Sequence, residues 1–303
     1  MRALLVSIVV VGALLSGCGP GPARIGAGPA SAANPQLHET FLQQSVPGSA
    51  LGVAQAIAAG WSAPGAPAPA LNIPIEFRTT DYTATVFNPG SPEGFTAFIT
   101  TRRTTLVTTT SAATIVARNG APARFGTPAD QAMWRAAGRP SLGQAPPSGV
   151  TQTIPAGQYT FLPQGSNLTY RQAAALPADP DSLASVLAHH LSTYAGPYPS
   201  ATLKLKQVAY LIATAPLANK VRAAAWQVMA SLPGLRICPK PRGQVRSGTI
   251  RLCLDSAGDE IMVNINPYTG TIITIAEQLT QASVGYPHVT GGTIVDSSTF
   301  LSS

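Results

Sequence analysis

The sequence predicts an α+β fold, in which several helices pack on one face of a curved antiparallel β-sheet. Residues 73–116 and 235–275 interleave apolar side chains with threonines and other polar residues, a pattern typical of strands. The stretch between these two regions carries apolar residues at helical spacing in four places, around 127–137, 181–194, 205–212 and 217–232. Together, the strand regions and the helices give the predicted class.

A short helix precedes the first strands. The apolar residues of 51–58 follow a helical spacing, with Pro47-Gly48 before them and Gly60 after them. The threonine-rich region that follows predicts a meander of antiparallel strands with one face in contact with water. Turns of this meander are predicted at 88–91, where Asn, Pro, Gly and Ser occur together, and at Asn119-Gly120.

Capping residues mark where the later helices begin. Thr127 is a predicted N-cap, with Pro128 at the first helical position. Asp179-Pro180-Asp181 begins the next helix by the same logic, so its two carboxylates are interpreted as capping groups rather than as a metal-binding pair. Two more helices follow, the last beginning at Pro216, and a strand over 151–161 lies between the first two helices of this group.

The alternation in the C-terminal strands predicts a disulfide. Ile237 belongs to the apolar face of its strand, so Cys238 lies on the opposite face. Leu252 and Leu254 form the apolar face of the next strand, so Cys253 also lies opposite that face. Antiparallel pairing of the cysteines would place Ile237 opposite Leu254, and closing a loop of about 15 residues contributes about 3 kcal/mol. Metal binding by two free thiols is the alternative; it is disfavoured because neither a histidine nor a third cysteine lies at ligand spacing.

The N-terminal residues have the layout of an export signal that ends in a lipobox. Arg2 precedes an apolar run over 3–15, shorter than the roughly 20 residues of a membrane span and typical of a signal-peptide core. Leu15-Ser16-Gly17-Cys18 then predicts cleavage before Cys18 and lipidation of its sulfur, with further acylation, palmitate among the candidates, at the new terminus. An ordinary secretory signal with an incidental cysteine is the alternative.

This interpretation divides the chain into four segments. They are a signal peptide (1–17), a lipidated flexible tether (18–48), a single α+β extracytoplasmic domain (49–285) and a weakly structured tail (286–303). Ile273 and Ile275 begin the last strand predicted within the domain. The protein is expected on the extracytoplasmic face of the cell membrane, where Cys238 and Cys253 can oxidise.

The basic excess constrains the partners. The net charge is +7, but the chain contains no tight Lys/Arg run with interleaved aromatic residues, so nucleic acid is not expected as a partner. Anionic lipid headgroups or wall polymers fit the charge outside a cell, and a contribution to solubility alone is the preferred interpretation. The expected partners are the membrane, through the anchor at Cys18, and a protein, wall-polymer or lipid ligand.

Several short turn and cap motifs occur in order along the chain. They lie at 125–130 (Phe-Gly-Thr-Pro-Ala-Asp), at Trp134 with 136–140, and at 176–183, 232–235 and 266–270. This set resembles a poorly characterised actinobacterial family of membrane-tethered extracytoplasmic proteins. Many members of that family are tied to the membrane by a hydrophobic segment, whereas this chain carries a lipobox instead. The resemblance implies no reaction and no catalytic residue. At the level of fold alone, the chain is similar to lipoprotein-carrier and sigma-regulator sensor domains.

Motifs of known chemistry are missing from the sequence. It contains no Gly-x-Ser-x-Gly, no His-Glu-x-x-His and no phosphate-binding loop. Of the four histidines, His189 and His190 are adjacent on a helix and point about 100° apart, His38 lies in the tether and His288 in the tail. Asp255, Asp259 and Glu260 surround a turn, where solvated carboxylates are favoured over a calcium site. We expect no catalytic residue, no metal and no cofactor.

These observations favour a lipid-anchored extracytoplasmic lipoprotein that acts as a non-catalytic binding or sensor module. The alternative is a carrier that holds an apolar ligand such as a lipid between sheet and helices, which requires an open apolar cavity. An enzyme of unusual type would require a cleft that brings Asp, Glu or His together from distant strands.

Overall fold

In the residues that the structure describes, nine antiparallel strands form one sheet, and six helices accompany them. The computed structural model describes residues 47–64, 66, 75–87, 94–107, 112–142, 150–155, 168–195, 200–239, 248–283 and 285–301. The helices are α1 (Ala50–Ser62), α2 (Pro128–Ala136), α3 (Tyr170–Ala174), α4 (Pro180–Ala195), α5 (Ala201–Thr214) and α6 (Asn219–Ala230). The strands are β1 (Ile75–Phe87), β2 (Phe95–Val107), β3 (Ala112–Phe125), β4 (Val150–Pro155), β5 (Arg236–Ile237), β6 (Ile250–Asp255), β7 (Asp259–Asn266), β8 (Thr271–Leu279) and β9 (Ile294–Leu301). The predicted α+β class with an antiparallel sheet is confirmed.

The last strand of the chain lies in the middle of the sheet. The strand order is β4-β3-β2-β1-β9-β8-β7-β6-β5, so β9 joins the N-terminal strands to the C-terminal ones. Thr299 of β9, for example, pairs with Thr80 on one side and with Thr274 on the other. The prediction of a weakly structured tail over 286–303 is therefore wrong. Short polar residues in β9 hide its alternation, although its backbone is paired along both edges.

The main core lies between four helices and the C-terminal half of the sheet. Helix α5 packs on β6, β7 and β8, while α6 contacts α1, α4 and α5. Side chains that are less than 2 % exposed fill this interface from both sides; they include Trp226, Leu205 and Leu211 from helices and Leu252, Leu254 and Ile265 from strands. Helix α2 lies on β2 and β3 and buries a smaller cluster around Phe95, Ala97 and Ile99.

The predicted caps agree with the structure, with one exception. The Thr127 hydroxyl accepts a hydrogen bond from Asp130 N, and the Asp130 carboxylate accepts one from Thr127 N, which is a complete capping box. Asp179 accepts a hydrogen bond from Ser182 N at 2.8 Å, as expected of an N-cap residue. The predicted start of the fourth helix at Pro216 is wrong, because α6 begins at Asn219.

The predicted turn at Asn119-Gly120 is also wrong, since β3 runs through both residues. A Cβ atom added to Gly120 would lie 2.5 Å from Cγ2 of Thr100. The register between β2 and β3 shifts on either side of Thr100, so this glycine serves a bulge where two strands approach closely rather than a turn. The turn predicted at 88–91 lies outside the described residues, as do the signal peptide, Cys18, and the tether up to residue 46.

A bulge between β7 and β8 places both Ile272 and Ile275 in the core, although they are three positions apart in β8. The register between β7 and β8 shifts between Asn264 and Ile265, so that Ile265 pairs with Ile272. Ile272 and Ile275 are consequently both buried in the main core. Within the described ranges, no helix has both the length and the hydropathy that crossing a membrane requires.

Candidate functional site

The structure brings the two predicted cysteines together. Cys238 and Cys253 form a disulfide with their Cα atoms 5.9 Å apart. The predicted register is wrong by two residues, because Ile237 pairs with Leu252 rather than with Leu254. A shift of two keeps every side chain on its own face, which is why alternation still placed both cysteines correctly. The disulfide therefore connects Cys253 of β6 diagonally to Cys238, the residue that follows β5.

An arginine neutralises two of the three carboxylates near this disulfide. Arg236 donates to Asp255 and Glu260 at 2.9 and 2.7 Å. Asp259 is the neighbour of Glu260 in β7, so its side chain points to the other face of the sheet, where burial and Glu277 raise its pKa. The three carboxylates do not converge on one point, and the structure gives the calcium alternative no support.

The two adjacent histidines lie in α4, as predicted. The rings of His189 and His190 are 6.1 Å apart and inclined at 68°. Partial burial, and to a lesser degree His189, lowers the pKa of His190 below its ordinary value. His38 lies outside the described residues.

His288 forms a contact that the sequence did not indicate. Its Nδ1 lies 2.7 Å from Oδ1 of Asp130, a residue 158 positions away. The Asp130 side chain is 0 % exposed and that of His288 is 43 % exposed. The other carboxylate oxygen of Asp130 accepts hydrogen bonds from Thr127 N and Oγ1, both at 2.9 Å. One buried carboxylate thus caps α2 and fixes the imidazole ring.

The segment around His288 is fixed from several sides. His288 has a φ of 62°, a left-handed conformation that is uncommon for a non-glycine residue. Thr96 Oγ1 donates to the carbonyl of Pro287 at 2.9 Å, and Val289 is buried beside Phe98. The contact therefore joins α2 to the connection between β8 and β9. The sequence could not indicate it, because 158 positions separate the two residues and no local pattern connects them.

A charged network lies where α5 meets the central strands. Nζ of Lys206 donates to Asp296 of β9 at 2.6 Å and to Glu277 of β8 at 3.0 Å, and the lysine side chain is only 8 % exposed. Burial alone would lower the pKa of Lys206, but the two carboxylates outweigh it and raise the pKa above its ordinary value. The lysine is therefore a permanent cation that neutralises the acids at the centre of the sheet.

Hydroxyl groups extend this network to β1. Ser298 donates to Asp81 Oδ1 at 2.6 Å, so the Tyr210 phenol is the donor in its short hydrogen bond to Ser298. Asp81 also accepts a hydrogen bond from Thr79 at 3.2 Å and lies 3.4 Å from Arg103. Each of these charges has a partner within the protein, which indicates that the network orders β1, β9 and α5 rather than offering free ligand groups.

Tyr210 is expected to ionise only at very high pH. Burial raises the pKa of Tyr210 to about 12 from its ordinary value of 10.0. Because the folded value is the higher one, this contribution to stability is complete below pH 10 and falls by about 2–3 kcal/mol as pH rises towards 12. Spectrophotometric titration should show that Tyr210→Phe removes a phenol that ionises near pH 12. Tyr268→Phe, at an exposed position, should leave that component in place; the opposite pattern would contradict the assignment.

Four exposed arginines lie on the sheet face opposite the helices. We call this group the arginine face; its members are Arg78, Arg102, Arg118 and Arg124. Arg102 and Arg118 are direct cross-strand partners in β2 and β3. Val107 of β2 belongs to the helix-covered core, and residues an odd number of positions away, such as Arg102, point to the other side of the sheet.

Carboxylates of the described residues compensate only one member of the arginine face. Arg78 is paired with Glu76 at 3.1 Å. Across the described part of the chain, no carboxylate lies within ion-pair distance of Arg102, Arg118 or Arg124. Like charges directly opposite each other destabilise a sheet, so the pair Arg102 and Arg118 costs stability, and no ion pair among the described residues offsets it.

In the residues described, the structure thus defines an α+β protein with a nine-stranded antiparallel sheet, a disulfide at its β5–β6 edge and the arginine face on β1, β2 and β3. No family model matches the chain, and neither the curated proteins nor the solved structures include a match. Membership of the actinobacterial family that its motifs resemble stays a prediction.

Proposed function

We propose that the protein is a lipid-anchored extracytoplasmic binding module without catalytic activity, and that it binds anionic headgroups of its own membrane through the arginine face. The single observation that carries the binding role is the opposed pair Arg102 and Arg118, exposed and without a carboxylate partner among the described residues. The anchor rests on the sequence around Cys18.

The packing between sheet and helices supports a binding surface over an internal carrier site. A carrier of an apolar ligand needs a cavity of a few hundred Å³ between its layers. In this protein, the large side chains of Trp226 and Leu211 belong to the same core cluster as Leu252 and Ile265, and all four are less than 2 % exposed. The space where an apolar ligand would lie in a carrier is thus occupied by the protein's own residues in the core described above.

Lipid headgroups are favoured as the anion because of where the anchor would hold the protein. Guanidinium groups bind phosphate oxygens with two parallel hydrogen bonds. A basic residue near an anionic membrane contributes about 1 kcal/mol, and stable attachment commonly combines an acyl anchor with a basic patch. The anchor at Cys18 would raise the local concentration of headgroups around Arg102 and Arg118.

Replacing the lipidated cysteine should release the protein from the membrane. Cys18→Ala removes the sulfur that a lipobox protein joins to diacylglycerol, and with it the acyl chains that bind at about 0.8 kcal/mol per methylene. Fractionation of cells that express the wild type or Cys18→Ala should find only the wild type in the membrane pellet after a high-salt wash. Ser16→Ala, which keeps a small residue before the cysteine, serves as the control. Retention of Cys18→Ala after that wash would count against the anchor.

Removing the opposed arginines should weaken binding to anionic vesicles. In the unlipidated Cys18→Ala background, Arg102→Gln with Arg118→Gln should lower partitioning onto phosphatidylglycerol vesicles about 30-fold, from about 1 kcal/mol per arginine. Sedimentation with vesicles at low salt measures this effect, and phosphatidylcholine vesicles should bind neither protein.

The matched control removes the same charge elsewhere. Arg135 of α2 and Arg171 of α3 are also exposed, and Arg135→Gln with Arg171→Gln should change partitioning much less. Equal losses for the two double variants would mean that net charge, and not the arginine face, determines binding to the vesicles. A lipid extract of the purified protein that contains bound lipid in stoichiometric amount would instead favour the carrier alternative.

A further inference from the structure

The disulfide lies beside a third group that is able to bind a metal. Sγ of Cys238, Sγ of Cys253 and a carboxylate oxygen of Glu260 all lie within 4.8 Å of one another. Both cysteines are buried, and the Glu260 side chain is 18 % exposed. The sequence could not indicate this group, because Glu260 follows Cys253 by seven positions across a hairpin turn, and only the pairing of β6 with β7 brings it close.

We infer that the reduced protein binds one Zn²⁺ ion through Cys238, Cys253 and Glu260. Reduction of the disulfide by a dithiol adds two electrons and two protons, gives two thiols and leaves the dithiol as a disulfide. Zn²⁺ then displaces both thiol protons to the solvent and binds two thiolates and one carboxylate, with water at the fourth position of a tetrahedron. The metal replaces the disulfide as the link between β6 and the end of β5, and through Glu260 it also connects them to β7.

The distances suit a zinc ion. Zn–S bonds of about 2.3 Å and Zn–O bonds of about 2.0 Å at tetrahedral angles place neighbouring ligand atoms roughly 3.5–3.8 Å apart. Sγ of Cys238 lies 3.9 Å from Oε1 of Glu260 in the oxidised protein. Once the S–S bond is broken, the two sulfurs need to separate only by rotation of their side chains, since the Cα atoms are already 5.9 Å apart.

Arg236 is able to release Glu260 without losing all its partners. The guanidinium contacts both Asp255 and Glu260, and Nη1 lies 3.6 Å from Sγ of Cys238. When Glu260 turns to the metal, Asp255 remains as the partner of Arg236. Glu260 is thus the ligand, and Asp255 is a neighbouring carboxylate outside the set of ligand atoms.

Titration with Co²⁺ tests the site directly, because a thiolate-to-Co²⁺ charge-transfer band appears in the absorption spectrum only when cysteine sulfur binds the ion. In the full Cys18→Ala chain reduced with a phosphine under anaerobic conditions, the band should saturate at one Co²⁺ per chain and disappear when Zn²⁺ is added. The oxidised protein should show no band. Circular dichroism during the titration should retain its native form.

Two substitutions that each remove one negative charge distinguish the proposed ligand Glu260 from its neighbour Asp255. Glu260→Gln should weaken Co²⁺ binding on the order of 10-fold or more, the scale on which groups around a metal affect its affinity, whereas Asp255→Asn should leave it within about twofold. Equal affinities for wild type and Glu260→Gln, a spectrum without sulfur ligation, or loss of native circular dichroism on reduction would each overturn the proposal.

Discussion

Lys206→Met is expected to destabilise the protein by about 3–5 kcal/mol, the cost of removing one partner from a buried ion pair. Lys206 is the common partner of Glu277 and Asp296, whose side chains are 23 % and 25 % exposed. Methionine keeps the length of the side chain but leaves both carboxylates without a cation. Chemical denaturation measures the loss in the free energy of unfolding.

The position of Lys206, rather than its charge, should account for this loss. Lys220 of α6 is exposed, and Lys220→Met should change stability by less than about 0.5 kcal/mol. Adding Glu277→Gln and Asp296→Asn to Lys206→Met should restore part of the loss, because uncharged amides are less costly to bury. If Lys206→Met and Lys220→Met were equally stable, the proposed role of the network would be wrong.

Gly270→Ala is expected to cost about 2–5 kcal/mol. Gly270 has a φ of 64°, which costs a residue with a side chain about 1–2 kcal/mol. An added Cβ would lie 2.5 Å from Cγ2 of Ile57 and 2.9 Å from Nε1 of Trp61, so the core would also be overpacked, at about 1–3 kcal/mol. Thermal and chemical denaturation of the purified variant measure the sum.

A second glycine separates these two contributions. Gly138 follows α2 with a φ of 82°, but an added Cβ there would meet nothing within 4 Å. Gly138→Ala therefore carries the backbone cost alone and should destabilise the protein by about 1–2 kcal/mol. Similar losses at both glycines would mean that the contact of Gly270 with α1 is not tightly packed.

Local chemistry explains why much of the fold followed from the sequence. The capping box of Thr127 and Asp130 and the N-cap at Asp179 satisfy backbone groups within three residues, so their effect is visible in a short stretch of sequence. The apolar spacing of α5 and the alternation of β6 and β7 likewise report which face is buried.

Features that depend on neighbouring strands were predicted wrongly or missed. Gly120 was taken for a turn residue, although it accommodates the side chain of Thr100 from the next strand. The pairing of Ile237 was displaced by two residues, since alternation specifies a face but not a register. In β9, a polar segment became a central strand because β1 and β8 pair with it on both edges.

The sequence by itself determined the α+β class, the caps, the faces of the C-terminal strands and the cysteine partners, because each depends on spacing or on contacts a few residues apart. Only the tertiary structure decided that Lys206 neutralises Glu277 and Asp296, that His288 lies against buried Asp130, and that Glu260 adjoins the disulfide. These contacts arise from strand order and register, which depend on the packing of distant segments, so no local pattern in the chain records them.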